Sequence, residues 1–266
     1  MKKLLALTIC FMLVGVVNSF AGPIKEHTWE LGTEVSHIKY EEPGVMEDEG
    51  IMYGIFGSYT YRNNYMLKAE GKYSYGQVDY EGSLSDGTPY TLNDIDDFML
   101  EFRGLGGYDF SVLKATILTP YIGFGYRYLN DDTSFNIYGY ERESNYYYTP
   151  IGIQTMTPLT NGWSVGLTVE YDYFWKGVQK THLDDLNPLY NTLENDQKDG
   201  YGCRGSIKFQ KEGDSIDFAI EPFIRYWDID ESELSAITVG GTYVVAYGYE
   251  PANESTEFGI KFAAKF

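Results

Sequence analysis

The closing segment Thr256 to Phe266 places Phe258, Ile260, Phe262, Ala264 and Phe266 in one phase of a two-residue repeat, and Glu257, Lys261 and Lys265 in the other. Strand side chains alternate between faces, so such a segment offers one face to an apolar medium and the other to a polar one. A half-buried strand of a soluble sandwich alternates in the same way, and the weight therefore rests on recurrence. The pattern does recur: Trp163, Val165, Leu167, Val169, Tyr171, Tyr173 and Trp175 alternate with Ser164, Gly166, Thr168, Glu170 and Asp172. Aromatic residues at both ends with aliphatic ones between them suit a strand that crosses two interfaces.

The amino terminus sets the compartment. Lys2 and Lys3 precede an apolar run from Leu4 to Val17, and Ser19-Phe20-Ala21 has small residues where a signal peptidase inspects, so residues 1–21 read as a cleaved leader and 22–266 as the mature domain. Cys10 lies inside the apolar run behind a bulky Ile9, which disfavours a lipoprotein signal. Cys203 is then the only cysteine of the mature chain, so no internal disulfide holds the fold. Mean hydropathy is low, at -0.32. A barrel that shows lipid only every second residue escapes hydropathy windows, however, and 26 Tyr, 15 Phe and 29 Gly suit aromatic girdles and tight wall packing. The formal net charge of -19, more negative still once Lys2 and Lys3 are lost, excludes a nucleic-acid partner.

Alternating segments follow one another along the mature chain at Thr28–Tyr40, Ile51–Arg62, Tyr65–Tyr80, about Phe98–Arg103, Tyr121–Leu129, Tyr146–Pro158, Trp163–Trp175, Tyr201–Phe209, Ile216–Tyr226 and the terminus. They are separated in turn by long polar stretches (41–50, 81–96, 130–145, 176–199, 227–255) and by short turns such as Asn63-Asn64, Asp109–Lys114 and Leu159–Gly162. The expectation is an all-β chain: a single antiparallel transmembrane β-barrel of about ten strands with long extracellular loops and short periplasmic turns. Closure removes free edges and satisfies every backbone group within lipid. Pro222 falls inside a good pattern and predicts a bulge, whereas Pro120 and Pro150 read as lying near strand ends. Thr242 to Glu250 reads either as a hairpin above the membrane or as a further strand, and Cys203 falls in the lipid-facing phase.

In this phase the lumen receives Lys68, Glu70, Lys72, Glu101, Arg103, Arg127, Glu170, Arg204, Lys208, Glu221, Arg225, Glu257 and Lys261. Charges of both signs in a narrow space must pair, which predicts either a salt-bridged filling or a small gated pore whose selectivity these residues set. The outer stretches are acidic at Glu47-Asp48-Glu49, Asp94–Asp97, Asp131-Asp132, Asp184-Asp185 and Asp228–Glu231. Carboxylate oxygens suit hard divalent cations, which also bridge lipopolysaccharide, but no calcium-loop spacing is present and no metal set is assigned. His27, His37 and His182 are the only histidines, and no zincin, Walker or nucleophile-elbow pattern accompanies them, so neither catalysis nor a cofactor is expected.

With its leader, its alternating segments and its terminal aromatic Phe266, the chain resembles Gram-negative outer-membrane β-barrel proteins over nearly its whole mature length. The resemblance implies residence in the outer membrane, contact with lipid and lipopolysaccharide, and recognition of Phe258, Ile260, Phe262 and Phe266 by the barrel-assembly machinery. The strand number also looks like that of the omptin proteases, which carry an acidic pair beyond the third strand and an Asp-x-His pair beyond the seventh. Here Asp79 and Glu81 follow the third strand and His182 with Asp184 follows the seventh, in reversed order and with Glu in place of one Asp. An omptin-like protease using these four residues is thus the alternative to a structural or interaction role with limited diffusion of small solutes.

Overall fold

The computed structural model describes residues 25–83, 87–112 and 115–266, so the leader expected at 1–21 lies outside the described residues. The strands are β1 (His27–Glu42), β2 (Met46–Asn63), β3 (Tyr65–Ser83), β4 (Pro89–Tyr108), β5 (Phe110–Val112), β6 (Thr116–Asp132), β7 (Glu141–Pro158), β8 (Trp163–Thr181), β9 (Leu193–Gln197), β10 (Gly200–Lys211), β11 (Asp217–Ile229), β12 (Ser235–Val239), β13 (Tyr243–Gly248) and β14 (Asn253–Lys265). Ten of them close an antiparallel barrel in the circular order β1-β2-β3-β4-β6-β7-β8-β10-β11-β14. Short β5 pairs with β6, and β9 continues the β10 side of the wall along the outer part of β8.

Exposure is inverted relative to a soluble protein, as the two-residue repeat requires. Ile55, Leu67, Ile122, Val169 and Phe258 face outward and are 55–62% exposed, while Glu34, Glu170, Asp172 and Glu257 face inward and are at most 4% exposed. Outside, side chains meet lipid; inside, each polar group must find a partner in the protein. Cys203 is exposed on the outward face. The periplasmic turns are tight, with Asn64 in the left-handed region at φ 60°.

The strands run further than the alternation predicts. Glu41 to Gly50, read as a loop, is the tip of the β1–β2 hairpin, turning at Gly44 with φ 78° and held by Lys39 Nζ contacts to Glu41 (2.9 Å) and Glu47 (3.0 Å). The polar sequence there marks exit from lipid, not the end of the backbone ladder. Thr242 to Glu250 does not span: its residues form β13 and the end of the β12–β13 hairpin, a separate two-stranded sheet that exposes Tyr243, Val244, Val245 and Tyr247. Pro222 produces no bulge. The β10–β11 ladder keeps one register on both sides of it and leaves Ile207 and Lys208 unpaired opposite Glu221 and Pro222, as a residue without an N–H allows. Pro150 lies inside β7, where the ladder to β6 likewise skips Thr149 and Pro150.

Candidate functional site

The inward face of one strand displays the layering of the whole lumen. Ascending β4 from the periplasmic end, the interior side chains are Leu105, Arg103, Glu101, Met99, Asp97 and Ile95, and β11 reads Ala219, Glu221, Phe223, Arg225, Trp227 and Ile229 in the same direction. Charged side chains therefore dominate the middle layer and apolar ones the outer layer, with Phe223 and Asp97 as the exceptions on these two strands and the phase unchanged.

All thirteen lumen residues expected from the sequence point inward, and twelve of them join ion pairs. Arg225 is held by Glu34 (3.0 Å) and Glu257 (2.9 Å), and Lys72 lies 3.3 Å from Glu34 and 3.5 Å from Glu257. Arg204 spans Glu101 (2.5 Å), Asp172 (2.7 Å) and Glu170 (3.1 Å) while accepting the Tyr148 ring beneath its guanidinium at 5.4 Å. Arg103 bridges Glu70 (3.2 Å) to Glu170, Lys68 pairs with Glu70 (2.5 Å), Lys208 binds Glu30 (2.6 Å) and approaches Glu221 (3.7 Å), and Lys261 lies 3.8 Å from Glu221. Among the described residues no carboxylate pairs with Arg127. It rests over the Tyr146 and Trp227 rings at 5.8 and 5.6 Å and reaches Ser255 at 3.5 Å. Glu30, Glu34 and Asp172 complete the network; they share the polar phase of their strands, so the alternation rule would have found them.

Above this layer apolar side chains dominate the interior, with Asp48, Asp97, Ser144 and Gln179 buried among them. Ile38, Tyr40, Met46, Met52, Val78, Ile95, Met99 and Leu129 form one cluster, and Tyr146, Tyr148, Phe174, Trp227 and Ile229 form a second on the opposite wall. Met52, Ile95, Tyr148 and Ile229 are fully buried. A Cβ on Gly125 would fall 2.1 Å from Tyr148 Cζ, so the absence of a side chain there lets the tyrosine ring lie flat on the wall. Cavities within this interior measure about 110 Å³ among the ion pairs, about 10 Å³ beside Arg127 and about 20 Å³ under the outer mouth.

At the mouth, beyond the lipid band, Arg142 binds Glu42 and Glu250, each at 2.5 Å, and Tyr40 donates to both carboxyls at 3.3 and 3.2 Å. Burial pushes the Glu250 carboxyl up to about 7, because Arg142 opposes the shift only in part while Glu42 competes for the same guanidinium. Asp48, Asp97 and Asp131 line the small cavity beside this group. No spacing in the sequence links Glu42, Arg142 and Glu250; barrel closure alone brings them together.

The four omptin-like residues are not brought together. Asp79 and Glu81 project outward from β3, where Asp79 accepts from the Asp94 backbone N–H at 3.1 Å. His182, just past β8, instead faces Glu143 at 2.9 Å, and Asp184 accepts from Thr192 at 3.0 Å. β4, β6 and β7 separate the two pairs around the wall.

The fold is similar to that of the outer membrane protease OmpT from Escherichia coli, with a TM-score of 0.62 and 11% identity over 90% of this chain and 96% of that one. Neisserial surface protein A (TM-score 0.36, 11% identity, 90% and 97% covered) and the translocator domain of the autotransporter NalP from Neisseria meningitidis (0.43, 10%, 98% and 93%) match at a distance that carries no argument. No protein-family model and no curated protein matches the sequence. The closed, ten-stranded antiparallel barrel with its apolar face outward is the fold of outer-membrane β-barrel proteins, and the outer membrane is the location it supports.

Proposed function

We propose that the protein is a sealed, non-catalytic outer-membrane scaffold with a structural or interaction role, presenting acidic strand tips and the β12–β13 hairpin outside the cell. The observation that carries this reading is the apolar layer over the ion-paired lumen, where Met52, Met99, Tyr148, Trp227 and Ile229 are at most 2% exposed. A conducting pore needs a continuous wetted path, and buried apolar side chains across the outer half of the interior oppose one. The ion-pair network then fills and stiffens the barrel, as side chains do in narrow barrels. In the same reading, lipid and lipopolysaccharide meet the outward wall, divalent cations neutralise the acidic tips, and Phe258, Ile260, Phe262 and Phe266 form the strand that the assembly machinery reads. The separation of Asp79 and Glu81 from His182 and Asp184 weighs against an omptin-type reaction. The test is planar-bilayer recording of the refolded mature protein: silence at all voltages is expected, and reproducible single-channel steps would overturn the sealed reading in favour of solute diffusion.

A further inference from the structure

The outer ends of β7 and β8 hold a cluster that neither the scaffold reading nor the lumen uses. Glu141 and Glu143 lie two residues apart on β7 and therefore share its outward face, opposite the inward Arg142 and Ser144. His182 follows β8 directly, and its backbone N–H donates to the Glu141 carbonyl at 3.0 Å, which sets its ring beside both carboxylates. One ligand atom from each of the three side chains lies within 4.8 Å of the other two.

The surrounding hydrogen bonds orient this trio for a cation. His182 Nδ1 is 3.5 Å from Thr192 Oγ1, and that hydroxyl donates onward to Asp184 Oδ1 at 3.0 Å. With the threonine hydrogen committed to Asp184, its oxygen accepts from Nδ1–H, which leaves Nε2 as the ring nitrogen able to give up its proton to a metal. Nε2 lies 2.9 Å from Glu143 Oε1, a contact that a proton on Nε2 bridges in the metal-free protein and that a cation replacing this proton would bridge as a ligand pair. A histidine held through its far nitrogen by a hydroxyl and carboxylate relay is the arrangement that presents an imidazole to a metal. The buried Asn130 holds Glu141 in turn, donating from Nδ2 to Oε1 at 2.7 Å.

We propose that Glu141, Glu143 and His182 form a divalent transition-metal site, with Thr192 and Asp184 as positioning residues. One imidazole nitrogen and two carboxylate oxygens suit a borderline ion such as Zn²⁺, which is satisfied by three protein ligands and water. Calcium takes six to eight oxygens and fits poorly. Bound metal would clip the 182–192 connection to the outer end of β7 and stiffen the surface displayed above the membrane.

The experiment is a calorimetric titration of Zn²⁺ into tag-free, EDTA-stripped protein refolded in detergent, with heat-modifiable gel mobility confirming closure of every variant. Saturable binding of one ion per chain is expected, weakened by about tenfold or more in His182→Ala and, separately, in Glu143→Gln, and less strongly in Thr192→Val. Calcium in large excess should not displace it. Absence of saturable binding, equal affinity in folded His182→Ala, or ready displacement by Ca²⁺ would overturn the proposal. Should His182→Ala fail to close, Glu141→Gln decides, because a barrel that closes and still binds at full affinity is equally fatal. A leak in the bilayer recording would leave this result untouched.

Discussion

Arg204 is the most heavily committed cation of the lumen, and Arg204→Met separates a paired interior from a merely crowded one. Among the described residues its guanidinium supplies the only side-chain hydrogen bond that Asp172 receives (2.7 Å) and the only ion pair of Glu101 (2.5 Å), which otherwise keeps the Tyr148 hydroxyl at 2.6 Å, whereas Glu170 keeps Arg103 and the Tyr121 hydroxyl at 2.7 Å. Methionine preserves much of the buried stem and removes the charge, leaving Asp172 and Glu101 without their ion-pair partner. Breaking one buried pair costs about 3–5 kcal/mol, so the unfolding constant should rise by roughly two to four orders of magnitude. Adding Glu101→Gln and Asp172→Asn removes the orphaned charges and should recover most of that loss, since a neutral replacement of a whole buried network is often close to isoenergetic. Urea titrations of the lipid-reconstituted protein, followed by tryptophan fluorescence, measure all three variants. An Arg204→Met midpoint within about 1 kcal/mol of wild type, or a triple variant no better than the single, would show that these contacts do not hold the barrel together.

The outer seal and the mouth make two shorter predictions. Gly125→Val drives a side chain into the Tyr148 ring, whose Cζ lies 2.1 Å from where the new Cβ would sit, and should destabilise by about 1–3 kcal/mol in the same titration; an unchanged midpoint would mean that the ring does not lie on the wall. Glu250, with its carboxyl at about 7, binds its proton more tightly folded than unfolded, so this stabilisation is complete below the unfolded value near 4.5 and is lost as pH rises towards 7. The permanently neutral Glu250→Gln should therefore match wild type at pH 5 and exceed it at pH 8, by up to about 3 kcal/mol, and equal midpoints at both values would refute the protonated carboxyl.

What could be read from the residues alone follows from which contrasts the chain encodes locally. The wall was legible because lipid and interior alternate at every residue, so Trp163 to Trp175 announces its outward face without reference to any other strand. The charged half of the lumen was legible for the same reason. The apolar half was not: Tyr146, Tyr148, Phe174 and Trp227 occupy the inward phase among outward aromatics such as Tyr147, Tyr171 and Tyr173, and when both faces are apolar the alternation vanishes. Strand tips were misread as loops because hydropathy reports the edge of the bilayer, while the backbone ladder of β1 and β2 continues to Glu42 and Met46. The Glu42–Arg142–Glu250 mouth and the convergence of Glu141, Glu143 and His182 depend on barrel closure and on connections between strands, and nothing in the spacing marks them.

The balance of charge inside the barrel bears on the choice between scaffold and pore. The middle layer carries Lys68, Lys72, Arg103, Arg127, Arg204, Lys208, Arg225 and Lys261 against Glu30, Glu34, Glu70, Glu101, Glu170, Asp172, Glu221 and Glu257, equal numbers of the two signs. A selective pore concentrates one sign along its path to favour one class of ion. A filled barrel requires the reverse, because any unpaired charge in a narrow, poorly hydrated space is costly. The net charge of -19 therefore arises outside this layer, at the mouth and on the strand tips where water and cations can screen it. A charge-balanced middle layer beneath a largely apolar one and an acidic exterior together favour the proposed reading, in which this protein acts through its outer surface, where Glu141, Glu143 and His182 lie.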